Sequence, residues 1–423
     1  MELWTGQCND LWILEESQKV VHCFHMDLDR GENKMIPASK EETAHISMIP
    51  FLFVLFGLFM ITIAVNLQVP LYTAYADQAG YGKAATALVF AAYVFGLIPV
   101  LLFLGGISDR VGRKPILLIA LCFSLCATFL MIVHPAIQML FVARLLQGVG
   151  LGLSVGTCTA YLITLYPEKS GWIPAFIALC SSVGFGGGAL FTALLSFQGI
   201  TLTPLSYWVV LVLLILTIVG VFFFVPPVQG DANKPLMNMP RFPKGTMSAN
   251  LAIAIAWSVC GLVISILPAQ LKLNGYELWV GPALFFINMA GVIMQPFVRK
   301  MNSSVALQVG FICIPCGYGL LLFGANGGSI FLVLAGTILA GTACYGFTYL
   351  GGLQLIVERG KKEAARAVAG YYLFAYLGLG VPSIFVGLFA DIYGTQMVLT
   401  LFFFFVLLAC IILFIAGYRK NQK

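Results

Sequence analysis

The chain has 423 residues, of which 60% are hydrophobic and only 9% charged, with a formal net charge of +6 and a mean hydropathy of +0.96. A soluble domain needs roughly 25% charged residues to solvate its surface, so lipid must be the solvent for most of this chain. The apolar runs are about 20 residues long without period-two alternation, which excludes a membrane β-barrel and predicts transmembrane helices.

Residues 1–47 stand apart, with nine acidic side chains (Glu2, Asp10, Glu15, Glu16, Asp27, Asp29, Glu32, Glu41, Glu42) against four basic ones. They lack the basic start and apolar core of a signal peptide and are expected to form a cytoplasmic, partly disordered tail. His22, Cys23 and His25 fall within four residues; with no second ligand cluster this is poor zinc spacing, and no metal or cofactor is expected. Twelve helices are then predicted near 49–74, 84–106, 115–133, 136–164, 172–197, 205–225, 249–272, 279–298, 304–323, 329–356, 364–390 and 395–418. The proline-rich break at 226–248 divides them into six-helix bundles over 48–225 and 249–418, with a short tail at 419–423. Sixteen Lys and Arg residues fall on the side of the chain that holds this break, against Lys83 and Lys272 on the other. That bias places both termini and the central connection in the cytoplasm. Eleven cysteines are scattered through the apolar runs, Cys313 and Cys316 as a C-x-x-C within one of them, and read as small packing residues.

An internal repeat supports two related halves. Gly184-Phe-Gly186 and Phe191 match Gly378-Leu-Gly380 and Phe385 at an offset of 194, and Gly96-Leu-Ile matches Gly291-Val-Ile at 195. Duplication of this kind places a substrate path between the halves.

Between predicted helices two and three runs Gly105-Gly-Ile-Ser-Asp109-Arg110-Val-Gly112-Arg113-Lys114. Gly105 and Gly112 suit a tight turn between antiparallel helices, and the three cations anchor the loop at the membrane edge. The run resembles the G-x-x-x-D-R-x-G-R-K signature of the major facilitator superfamily, and the resemblance covers about residues 49–418. It implies an all-α membrane protein of two pseudo-symmetric six-helix bundles working by alternating access. It also implies that Asp109 faces the start of helix eleven, near Lys361 to Arg366, when the cytoplasmic side is closed. Arg110 or Arg113 is placed to pair with Glu168.

Arg144-Leu-Leu-Gln147-Gly148 in helix four resembles the family's R-x-x-Q-G. Arg144 is the one charge predicted deep in a helix, where it costs about 2.5–3.5 kcal/mol on insertion scales and so should face a cavity with a partner. Gly148, Gly152 and Gly156 follow at fourfold spacing and allow close approach of another helix, expected to be helix one or five. Gly184 and Gly188 do the same in helix five, where the Gly-Pro step usual in antiporters of the family is missing. Family architecture places helices one, four, seven and ten around the cavity, which nominates Asn66, Gln68, Arg144, Gln147, Trp257, Tyr345 and Tyr349. Helices eight and eleven add Asn288, Gln295, Tyr371 and Tyr372.

Beyond residue 47 the acids are Asp77, Asp109, Glu168, Asp231, Glu277, Glu358, Glu363 and Asp391. All fall at predicted helix ends or in loops, so Arg144 has no carboxylate at its own depth. The cavity is therefore expected to be positive and to suit an anionic or zwitterionic substrate, with proton coupling confined to rim acids such as Asp77 or Asp109. The leading expectation is efflux of a drug-like compound, an acidic metabolite or a carboxylate siderophore by a monomer in a bacterial inner membrane. Uptake of a polar nutrient is the alternative. No H-E-x-x-H, intramembrane acid pair or filter loop argues for an enzyme or channel, and nothing points to nucleic acid.

Overall fold

The computed structural model describes residues 47–196, 199–237 and 239–421. The acidic tail, with His22, Cys23 and His25, lies outside the described residues. All elements among the described residues are helical. Twelve are long and apolar enough to cross a membrane: α1 (Met48–Gln78), α2 (Lys83–Phe103), α3 (Arg113–Val133), α4 (Ile137–Leu165), α5 (Ile173–Leu195), α6 (Leu205–Phe224), α7 (Met247–Ser265), α8 (Glu277–Val298), α9 (Ser303–Asn326), α10 (Ile330–Gly360), α11 (Ala364–Tyr393) and α12 (Thr395–Gly417). The protein is thus a multi-pass membrane protein. In their most apolar stretches α7 is 72% buried and α12 only 22%, so α7 is central and α12 lies against lipid.

Three predicted helices are interrupted. α1 stops at Asn66 and resumes after a tight turn, Val69–Leu71, that contains Pro70. α7 stops at Ser265 and continues as Leu267–Leu273 with Pro268 in its first turn. Proline lacks the N–H that would continue the ladder and its ring crowds the preceding turn. α10 carries a π-helical turn over Thr342–Thr348.

Packing repeats with a period of six helices. α1 lies on α5, α2 on α4 and α3 on α6, just as α7 lies on α11, α8 on α10 and α9 on α12. The repeated glycines sit at these crossings. A Cβ at Gly96 would overlap the Leu145 carbonyl of α4, and one at Gly291 would meet Tyr345 and Gly341 of α10. Gly184 abuts Thr62 of α1, and Gly378 abuts Ala254 of α7. Gly186 meets Phe285 of α8 and Gly380 meets Val94 of α2, so the third pair joins the halves. Gly188 packs on the Ile63 carbonyl of α1. The α4 stripe corrects an expectation: Gly148 and Gly152 face α2, at Tyr93, Leu97 and Val100, rather than helix one or five. Gly156 meets nothing within 4 Å.

The halves meet through α2 with α11 and α5 with α8, with close contacts toward the face opposite the basic loops. There Gly281 of α8 packs on Ala189, Leu190 and Ala193 of α5. Lys272 pairs with Asp77 at 2.6 Å. Asp391 at the end of α11 accepts from the backbone N–H groups of Lys83 and Ala84, both at 2.8 Å. The cap position of α2 is Gly82, which has no side chain to do this, so the other half supplies the carboxylate that the helix start favours. On the basic face the link is the connection between α6 and α7. Gly106 N donates to Leu236 O at 3.0 Å and Asp231 N to Asp109 O at 2.8 Å. Farther along, Arg241 N donates to Arg366 O at 3.0 Å, and Arg241 pairs with Glu363 at 2.8 Å.

Helix caps contribute about 1 kcal/mol, or roughly fivefold in an equilibrium. Asp391→Ala should therefore raise the population open on this face several-fold. The readout is faster thiol labelling of an Ala193→Cys probe in a cysteine-depleted background, and unchanged labelling would remove Asp391 as a clasp. The hydrogen bond that Lys272 donates to Asp77 raises the lysine above its usual 10.5. A raised lysine contributes fully below its unfolded value and is lost only as pH climbs through the folded one. Closure should accordingly not weaken through lysine deprotonation between about pH 6 and 9.

Candidate functional site

The break in α1 builds the first part of the site. The last carbonyls of a helix have no partner within it and carry partial negative charge. Here the Ala64 carbonyl accepts from Gln147 Nε2 at 2.9 Å. The Val65 carbonyl accepts from Gln68 Nε2 at 3.1 Å and from Arg144 Nη1. Gln147 Oε1 accepts from Gln68 Nε2 at 2.7 Å and from Arg144 Nη1 at 3.4 Å. Asn66 turns away from this group and donates to the Phe185 carbonyl of α5 at 2.9 Å.

Arg144 is fully buried, at 0% exposure. Its ring neighbours are Tyr93 at 4.9 Å, Phe90 at 5.7 Å and Tyr72 at 5.9 Å from the guanidinium carbon. Desolvated cation–π contacts are worth about 0.5–2 kcal/mol each. Three of them, with bonds to a negative helix end, match the insertion penalty of about 2.5–3.5 kcal/mol. The ion pairs among the described residues involve other cations, so the charge is held by dipoles and ring faces instead of a carboxylate. Nη1 does all of the hydrogen bonding; Nε and Nη2 have no partner.

The second half contributes an aromatic cluster. Trp257 of α7 lies 5.2 Å from Tyr376 edge to face, 5.7 Å from Tyr345 and 6.4 Å from Tyr349 in a stacked arrangement. The π-helical turn in α10 contains Tyr345 and ends beside Tyr349; such turns recur at functional sites. The Tyr349 and Tyr372 hydroxyls are 2.8 Å apart, and Tyr371 donates to the Thr348 carbonyl at 2.8 Å. Tyr376 lies beside Tyr93 across the halves. A continuous path therefore runs from Arg144 through Tyr93 and Tyr376 to Trp257, whose Nε1 is buried without a partner. Asn288 and Gln295 stay within their half, donating to Leu284 and Tyr345 carbonyls.

The motif loop is a separate site on the basic face. Gly112 has φ +109°, a conformation that glycine adopts without penalty. Gly106 makes a close approach to the Pro235 carbonyl. Asp109 pairs with Arg113 at 3.1 Å, and Arg113 also donates to Ala160 and Thr164 on α4, which occupies it otherwise than with Glu168. Lys114 donates to the Phe222 carbonyl at 2.7 Å. Glu363 and Arg366 at the start of α11 bind the central connection. Cys313 and Cys316 are free thiols.

A model of the Major Facilitator Superfamily matches residues 54–382. The chain belongs to the major facilitator superfamily. It is 32% identical over 94 residues to the multidrug resistance protein MdtL of Shewanella sp. strain ANA-3, a stretch covering 22% of this chain and 24% of that protein. It is 28% identical over 234 residues to a triacylglyceride transporter of Mycobacteroides abscessus, covering 52% and 44%. The chain thus spans less than half the length of these curated relatives. Its fold is similar to that of the nucleoside transporter NupG, with TM-score 0.70 and 11% identity over 88% of this chain and 100% of that one. The human organic anion transporter MFSD10 gives 0.61 and 16% over 86% and 99%.

Two substitutions probe the local architecture. Gln147→Leu leaves the buried Ala64 carbonyl unpaired, a loss of about 1–3 kcal/mol, and should lower the thermal midpoint of the purified protein. Gly148→Val drives a side chain into the Tyr93 carbonyl and should prevent a monodisperse fold. Wild-type melting of both would show that the α1–α4–α2 junction is not tightly packed.

Proposed function

We propose that this small-molecule transporter carries an organic anion, with export as its direction and Arg144 as the seat of the negative charge. The observation that carries the reading is the guanidinium itself: fully buried, without a carboxylate partner, and with two nitrogens, Nε and Nη2, unpartnered. A buried unsatisfied donor costs about 1–3 kcal/mol, and an anionic guest would recover it. Export is supported by the likeness to proteins named for multidrug resistance and for methylenomycin A resistance. Gln147 and Gln68 hold the guanidinium in place, while Trp257, Tyr345 and Tyr349 form the opposing wall.

In this reading the basic face is cytoplasmic, as the Lys and Arg bias argues, and the membrane is a bacterial inner membrane. The contacts at Asp77, Lys272 and Asp391 then close the outer side, so the conformation is inward-facing. Asp109 is the complementary gate residue, reaching α11 only when the inner side closes. Proton coupling, where present, runs through rim carboxylates such as Asp77 and Asp109 or through the guest's own acid.

Efflux from loaded inverted and right-side-out vesicles tests both claims. Arg144→Gln should lower anion flux by at least about a hundredfold, since a charge-assisted bidentate contact is lost. Arg144→Lys should recover only part of it, because an ammonium cannot present the planar fork. Undiminished flux of every organic anion in Arg144→Gln would sink the reading.

A further inference from the structure

The free edge of Arg144 and the aromatic faces around it define the guest more narrowly than its charge. We infer that the guest is an aromatic monocarboxylate, with its carboxylate on Nε and Nη2 of Arg144 and its ring against the Trp257 and Tyr376 wall. This rests on the proposed function and specifies its substrate class.

The first argument is the shape of the donor set. In a guanidinium, Nε–H and one Nη2–H lie side by side and point the same way. They match the two oxygens of a planar carboxylate in a fork-to-fork pair. Both are the unpartnered atoms here, while Nη1 is fully engaged with the Val65 carbonyl and Gln147. The structure therefore spends one nitrogen on fixing the side chain and leaves the bidentate edge unused.

The second argument is charge. Arg144 is the one cation among the largest fully buried side chains, and the other described Lys and Arg residues fall at helix ends or in connections. One guanidinium balances one negative charge. A phosphate monoester brings close to two at neutral pH, and the second would be desolvated without a partner.

The third argument is the wall. Tyr93 spans the gap, with its ring 4.9 Å from the guanidinium carbon and Tyr376 beside it. Beyond it lie Trp257, Tyr349 and Tyr372, and the tyrosines of this group other than Tyr93 are only partly buried. Ring faces with accessible surface favour a flat aromatic guest over a saturated one of equal size, because offset and edge-to-face contacts add to burial. Trp257 Nε1, buried at a residue exposure of 7% and unpartnered, calls for an acceptor on the guest's ring, such as a hydroxyl or carbonyl oxygen.

The test uses the full chain in detergent and in proteoliposomes. Binding is read by intrinsic tryptophan fluorescence and by thermal shift, with benzoate, 4-hydroxybenzoate, cyclohexanecarboxylate, benzamide and phenyl phosphate as probes. Benzoate should bind at least about tenfold more tightly than cyclohexanecarboxylate, and 4-hydroxybenzoate more tightly still. Benzamide and phenyl phosphate should not bind measurably. Trp257→Leu should erase the aromatic preference while carboxylate binding persists, and Arg144→Gln should remove carboxylate binding altogether. Trp257→Phe, which keeps the ring, should lose only the advantage of 4-hydroxybenzoate. Equal affinity for benzoate and cyclohexanecarboxylate would overturn the aromatic assignment and leave the anion reading standing. Binding of benzamide with no carboxylate bound at all would overturn both.

Discussion

A single buried guanidinium fixes the geometry around which the rest of the site is organised. Arg144 requires negative potential within reach, and the sequence places no carboxylate at its depth. The interruption of α1 answers that need, since ending the helix at Asn66 exposes the Ala64 and Val65 carbonyls to side-chain donors. Gln147, one turn along α4, binds the neighbouring carbonyl and joins Gln68 to the same group. Gly148 completes the arrangement: without a Cβ it admits the Tyr93 carbonyl, and so brings α2 close enough to lay the Tyr93 ring over the cation. Pro70, Arg144, Gln147, Gly148 and Tyr93 act as one unit, because each is placed by the requirement of another.

That unit also explains what the two halves contribute. The first six helices supply a charge seat held by dipoles. The last six supply an uncharged aromatic surface, widened by the π-helical turn in α10 that puts Tyr345 and Tyr349 on the same side of Trp257. Tyr93 and Tyr376 are the seam between them.

Much of this was legible in the sequence where a residue broke the local pattern. Arg144 stood out because charge in an apolar run is costly. The repeated glycines at 96 and 291, and at 184 and 378, stood out because small residues at fixed offsets mark equivalent crossings, and they occupy equivalent crossings. Tyr72, Phe90, Tyr93 and Tyr376 carried no such signal, since an aromatic residue in an apolar helix looks like packing until its neighbours are known. The partner of the Gly148 stripe was misassigned for a related reason: spacing shows that a helix approaches closely but not which one. The break in α1 was signalled by Pro70, yet the hydropathy on both sides hid it. Asp391 resembled any rim acid, because its role depends on the start of α2, more than 300 positions earlier in the chain.

The antiparallel pair of α2 and α11 joins the two halves. Asp109 stands just beyond the end of α2 on the basic face, and Asp391 stands at the end of α11 on the other. Asp391 binds the start of α2 in the other half. The two helices touch at Gly380 against Val94, near their middles, and small residues at a crossing permit one helix to tilt over the other. In the alternating-access reading proposed above, tilting that closes the basic face would break the Asp391 contact. The Asp391 cap is made here, whereas Asp109 rests on Arg113 and the start of α11 is held by Arg241 of the central connection. In the proposed function, a desolvated contact between a guest and Arg144 would bias the equilibrium between the open faces.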